Sequence, residues 1–291
     1  MKKISALLLV SVMILFSGCT DSALKSNNLG ALADNKAEIS TLPELKLTVS
    51  DPDNLKKLPE ERTEHSYGIA KNGKPHEISV NTQKYFEEKE FKAICLDTVS
   101  QSRVLYLTFD CGYENGCTAS VLDTLREKNV PAAFFCTLQQ IKENPELTQR
   151  MIDEGHIVGN HSAKHPDFSK LTREQMANEI MLCDNYLRKN FNYSSPFFRF
   201  PEGAYNESAL ELVGSIGFTS VFWSLAYEDW DTDSPKGADY AFEKVTSRLH
   251  PGAIILLHSV STDNRDALGR IIDYAKEQGY EFRALTDFGK A

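Results

Sequence analysis

The chain has 291 residues, 41% of them hydrophobic and 25% charged, with a formal net charge of -9. This is an ordinary globular balance, with room for one large α/β domain or two small ones. Acids and bases are mixed along most of the chain and no basic stripe occurs, which sets nucleic acid aside as a partner, because phosphate neutralisation dominates that affinity.

The first predicted element is a leader. Lys2 and Lys3 precede an apolar run over 4–16, broken only by serines, and then come Ser17, Gly18 and Cys19. That order of charged, apolar and small residues is a secretory signal, and the run is too short for a comfortable membrane span. A cysteine directly after Phe16-Ser17-Gly18 resembles a bacterial lipoprotein processing site, with Phe16 where leucine is usual. Cleavage there would remove residues 1–18 as a signal peptide and leave Cys19 lipidated, anchoring the protein outside the cytoplasm on the cell membrane. An uncleaved anchor and ordinary secretion are the alternatives, and both also place the domain outside the cytoplasm.

Residues 20–60 are polar, without sustained periodicity, and read with Cys19 as a flexible tether. A coil of that length reaches roughly 35 Å. Residues 61–100 are a less regular lead-in expected to pack on the domain that follows, 101–291. Of six cysteines, at 19, 95, 111, 117, 136 and 183, none forms a CxxC pair, and setting Cys19 apart leaves an odd number. The spacing is not that of a disulfide framework, although a single bridge stays open.

From about residue 100, short apolar runs alternate with helical patterns. The predicted strands are 104–109, 131–137, 156–160, 197–200, 218–224, 253–257 and 280–285. Several are apolar on both faces, as parallel strands covered by helices are. Helices are predicted near 117–128, 145–154, 172–190, 206–216, 235–249 and 264–278. Thr172-Arg173-Glu174-Gln175 is a capping box, and Gly155, Gly217 and Gly279 stand where helices stop. Repeated strand–helix units without a dinucleotide glycine fingerprint favour an α/β fold of the (β/α) barrel type. With about seven parallel strands rather than eight, the barrel is expected to be distorted or incomplete.

Chemistry-bearing residues collect just past the strand ends: Asp110, His161 and His165, Arg199 with Pro201 and Glu202, Asp229–Trp230, and His258. In a parallel barrel these ends open on one face, where such folds build their sites. Singly, each has a plainer reading: a helix N-cap, a satisfied histidine, an aromatic used for packing. Five ends agreeing on acid, imidazole and guanidinium is harder to explain structurally. His161 and His165, at i and i+4, can share a metal. Ser162 stands where the HExxH zinc proteases have their glutamate, so a base must come from elsewhere, with Asp110 the obvious supplier; Pro166 favours a loop-borne site. Cys111, directly after Asp110, has three readings: a buried filler, a redox group, or an occupant of the metal position.

In this order, Leu107-Thr108-Phe109-Asp110-Cys111-Gly112, His161-Ser162-Ala163-Lys164-His165, Arg199-Phe200-Pro201-Glu202-Gly203, Ala226-Tyr227-Glu228-Asp229-Trp230 and Ile255-Leu256-Leu257-His258 resemble the five motifs of the bacterial polysaccharide deacetylases. The likeness covers roughly 100–290, and its details are similar to the branch of delta-lactam-biosynthetic de-N-acetylases. The resemblance implies a metal-dependent hydrolase that removes the acetyl group of N-acetylmuramic acid in peptidoglycan glycan strands, supporting muramic-lactam formation in the spore cortex. It implies Asp110 as base, His258 as acid, Arg199 orienting Asp110, Asp229 holding His258, and a divalent metal on His161 and His165. Cys111 replaces the acid usual after the catalytic aspartate; if its thiolate ligates, two imidazoles and a sulfur favour zinc. Phe200-Pro201-Glu202 departs from the usual Pro-Pro motif. The rival readings are a deacetylase of N-acetylglucosamine in peptidoglycan or chitin, and a catalytically degenerate glycan-binding lipoprotein. Protein partners are not indicated.

Overall fold

In the computed structural model, which describes residues 42–100 and 102–290, the chain enters along the surface of its own domain. The expected signal peptide 1–18, Cys19 and the tether as far as residue 41 lie outside the described residues. The rest of the predicted tether is corrected: 42–60 has no regular secondary structure, yet it is docked. The backbone N–H groups of Leu42 and Leu45 donate to the side-chain oxygens of Asn192 and Asn185, at 2.8 and 2.6 Å. Asp51 is buried, and its carboxylate accepts from the N–H groups of Leu55 and Lys56. Backbone polar groups find fixed partners here, which a free coil would leave to water.

The lead-in then supplies β1 (Thr63–Glu64), α1 (Glu77–Glu88) and β2 (Ala93–Ile94), followed by the central strand β3 (Val104–Cys111), buried at every position. Next come α2 (Thr118–Lys128), β4 (Ala132–Cys136), α3 (Leu138–Glu143), α4 (Pro145–Asp153), β5 (Ile157–Asn160) and α5 (Arg173–Phe191). β6 (Phe197–Phe198), β7 (Ala204–Tyr205), α6 (Glu207–Ser215) and β8 (Thr219–Val221) precede α7 (Ala238–Thr246), β9 (Ala253–His258), α8 (Thr262–Glu277) and β10 (Glu281–Phe282). The seven predicted strands are present, several shortened; α1 and α3 were not predicted. Thr172 and Gln175 close the capping box on α5, and Gly155, Gly217 and Gly279 take φ of +80°, +100° and +79° just past their helices.

The main sheet runs β10-β3-β4-β5-β6-β8-β2 with β9 also on β3, all parallel. The free edge of β9 meets the chain after β8 through a single parallel bridge, Leu225 to Ile255. The sheet therefore curls almost into a ring, the distorted barrel expected from the sequence, with β2 of the lead-in as a short eighth strand. One face of β3 (Leu105, Leu107, Phe109) packs with Val121 and Leu125 of α2 and Leu268 and Ile271 of α8. The opposite face (Val104, Tyr106) meets Phe86, Phe200 and Phe222. β1 pairs antiparallel with β7 and ties the lead-in to the rim. Among the described residues no helix is long and apolar enough to cross a membrane.

Candidate active site

Parallel strands bring their C-terminal ends to one side, and a cleft of about 810 Å³ opens there, lined by Asp110, His161, His165 and His258. Asp110 and His258 are register partners on β3 and β9. Their two supporting residues stand behind them. The buried Arg199 guanidinium donates from Nη1 to Asp110 Oδ1 at 2.7 Å and from Nε to the Val221 carbonyl at 2.8 Å, and lies 4.1 Å over the Phe135 ring. Asp229 accepts from His258 twice, from Nδ1 at 2.7 Å and from the backbone N–H at 2.8 Å.

These contacts set the protonation states. Burial opposes the Asp110 charge, but Arg199, His161 and His258 together outweigh it and hold the carboxyl below its ordinary value. With Oδ1 taken by Arg199, Oδ2 is the oxygen left to accept a proton. For His258, burial disfavours the imidazolium, but the charge and hydrogen bond of Asp229 win and raise its pKa. A carboxylate poised to accept a proton thus faces an imidazole poised to donate one.

The histidine pair sits on an irregular loop after β5, as Pro166 suggested. Asn160 Oδ1 accepts from the Ser162 N–H, and Glu179 Oε2 from those of Ala163 and Lys164. Ser162 and His165 are held at φ of +70° and +57°, a conformation that costs a non-glycine residue about 1 kcal/mol or more. The strain presents the two imidazoles edge to face, centroids 4.8 Å apart.

His161 Nδ1 lies 2.9 Å from the Arg199 carbonyl, which only accepts, so Nδ1 carries the proton and Nε2 the lone pair. Nε2 faces Asp110 Oδ2 at 3.7 Å, an ion pair only if His161 is protonated. Burial argues against that, lowering its pKa to about 4 despite Asp110. A neutral imidazole nitrogen with its lone pair open, beside the second imidazole of His165 and near the Asp110 carboxylate, suits a divalent cation. The donors fit such an ion as a partial shell: among the described residues no three His, Cys, Asp or Glu side chains converge as a complete cage.

Cys111 is corrected. A strand turns successive side chains to opposite faces, and the Asp110 side chain takes the cleft. Cys111 is fully buried in the helix-side core with its register partner Cys136 and with Cys183, and does not line the cleft. Of its three readings the filler is the one observed. Cys95, Cys111, Cys117, Cys136 and Cys183 are all free thiols.

Residues 98–221 match the polysaccharide deacetylase family model. The peptidoglycan-N-acetylmuramic acid deacetylase PdaA of Bacillus subtilis is 41% identical over 189 residues, 65% of this chain and 72% of that protein. The chain belongs to the polysaccharide deacetylase family. Among solved structures, Bacillus subtilis PdaA, a family 4 carbohydrate esterase, superposes with a TM-score of 0.75 at 36% identity, covering 79% of this chain and 98% of that one. A family 4 carbohydrate esterase from Bacillus anthracis gives 0.65 at 36% identity, covering 80% and 98%.

Several residues of this deacetylase's site escaped sequence reasoning. Asn264, buried on α8, donates to Asp229 Oδ2 and to the His258 carbonyl, and accepts from the Tyr227 hydroxyl. From the lead-in, Tyr67 lines the cleft, and His65 supports Trp223 of its wall, Nε2 bonding the Trp223 carbonyl at 2.7 Å. An asparagine inside a helical pattern and a histidine in an irregular stretch carry no local signal of such roles.

Proposed function

We propose that this chain hydrolyses the N-acetyl group of N-acetylmuramic acid in peptidoglycan. The observation that carries the reading is the pairing of Asp110–Arg199 with Asp229–His258 across one cleft, because glycan binding alone needs no buried acid/base couple. Similarity to PdaA supports the sugar. In this mechanism the free Oδ2 of Asp110 takes a proton from water as its oxygen attacks the acetyl carbon, while Arg199 keeps the carboxylate ionised and aimed. The C–N bond then breaks, His258 gives its proton to the departing amine, and acetate leaves; Asp229 stabilises the imidazolium until that transfer. His161 and His165 would hold a divalent cation, which when bound supplies Lewis-acid polarisation of the carbonyl. With Cys111 out of reach the donors are the two imidazole nitrogens, which suit zinc without singling it out.

Lipid anchorage through Cys19 and a place in muramic-lactam formation of the spore cortex belong to the same proposal and rest on the sequence. The test is mass spectrometry of purified peptidoglycan after incubation, with and without a chelator. Free muramic amine, lost with the chelator, is the expected result. Free glucosamine would move the assignment to the other sugar, and no released acetate would leave a glycan-binding protein.

A further inference from the structure

A second groove, of about 460 Å³, adjoins the cleft: Tyr67, Tyr227 and Glu228 line both, and Ile69, Tyr240 and Arg248 line the groove alone. Arg248 is half-buried, anchored by one hydrogen bond from Nη1 to the Ala226 carbonyl at 2.7 Å. No carboxylate among the described residues pairs with it. Its cationic neighbours differ in this respect. Lys236 and Lys244 lie 5.2 and 4.8 Å from the Tyr240 ring, and have Glu228 at 3.7 Å and Glu243 at 3.9 Å. A protein of net charge -9 thus keeps an unneutralised guanidinium beside its reaction cleft, with Lys236 offsetting Glu228, the acid that lines the groove.

We propose that this groove is a carboxylate subsite, in which Arg248 binds the lactyl carboxylate that distinguishes an N-acetylmuramoyl residue from N-acetylglucosamine. The inference rests on reading the cleft as a muramoyl deacetylase site and names the group that selects the sugar. The two sugars share the acetamido group and differ by a lactyl ether on the adjacent ring carbon, so discrimination has to occur beside the reacting centre. A guanidinium fixed by one hydrogen bond still presents donors in a planar fork that matches a carboxylate. Tyr67 and Tyr227 supply apolar walls for the ring and the lactyl methyl. A site built around a charged partner discriminates strongly against an analogue lacking it.

The experiment compares wild type, Arg248→Gln and Arg248→Lys on peptide-free muramoyl oligosaccharides and on the same oligosaccharides with the lactyl carboxylate converted to an amide. Glutamine keeps a donor for the Ala226 carbonyl and removes the charge. Arg248→Gln should raise KM for the carboxylate substrate about tenfold, leave KM for the amide within about twofold of wild type, and leave kcat unchanged; Arg248→Lys should recover part of the loss. Equal KM changes on both substrates, or none on either, would overturn the proposal. Calorimetric binding of the two oligosaccharides in an Asp110→Asn background reads the same difference without turnover. Wild type that binds selectively through Arg248 but releases no acetate would refute the deacetylase reading and keep the subsite.

Discussion

Asp110 and Cys111 are adjacent in the chain and face opposite sides of the sheet, the carboxylate into the cleft and the thiol into the helix-side core. Cys111→Ala should therefore leave metal affinity at the wild-type value and lower stability by about 1 kcal/mol, the scale for removing one buried heavy atom. His161→Ala should abolish metal retention. Metal titration with thermal unfolding of the three proteins checks this, and weakened binding in Cys111→Ala would return the thiol to the metal position.

The proton-transfer roles proposed for Asp110 and His258 should be separable from folding. Asp110→Asn and His258→Ala should each lower kcat by about 10²–10⁴, the usual scale for losing a general base or acid, with the circular dichroism spectrum retained. Near-normal turnover by either variant would remove the mechanism.

The raised pKa of His258 fixes a sign. The imidazolium survives above the ordinary histidine value near 6.5, so activity that needs it falls only as pH rises through the raised pKa. The stabilisation it contributes is complete below the unfolded value and is lost over the same rise. Asp229→Asn removes the charge that overcomes burial, so the alkaline limb of kcat against pH should move to lower pH. An unmoved limb would mean that another group donates the proton.

Asn264 makes two bonds to the Asp229–His258 couple behind the cleft and accepts a third from the Tyr227 hydroxyl. Asn264→Ala should cost about 1–3 kcal/mol of stability through the partners left unpaired. It should also lower kcat about tenfold or more, since Asp229 loses its fixed orientation. Unfolding curves and steady-state kinetics on one preparation separate the two effects.

Anchorage is tested at Cys19. The mature wild type should fractionate with membranes, because multiple lipid chains hold firmly where one is marginal, and Cys19→Ser should lose lipid labelling. Recovery of mature wild type in the soluble fraction without detergent would contradict the anchor.

Much of this was legible in the sequence because parallel strands convert chain order into spatial order: once 104–109, 156–160 and 253–257 are strands, Asp110, His161 and His258 must share a face. What escaped has physical causes. Period-2 alternation at the end of β3 should have separated Cys111 from Asp110, but the family's paired acids suggested adjacency instead. His65, Tyr67 and Asn264 act through tertiary contacts whose partners lie 158, 159 and 35 positions away, which local pattern cannot reveal. The docking of 42–60 depends on Asn185 and Asn192, far along the chain, while its own composition is that of a coil.

The register of Asp110 against His258 bears on how such an enzyme changes over generations. Both groups ride on backbones locked by a shared ladder, whereas Tyr113, Glu202 and Trp230, which line the cleft mouth, sit on connecting segments. Substitutions, insertions or deletions in those segments can therefore explore new glycans while the spacing of proton acceptor and donor is inherited intact. Reshaping the mouth and moving the facing pair are thus changes to different parts of the chain, connecting segments for the one and a hydrogen-bonded ladder for the other.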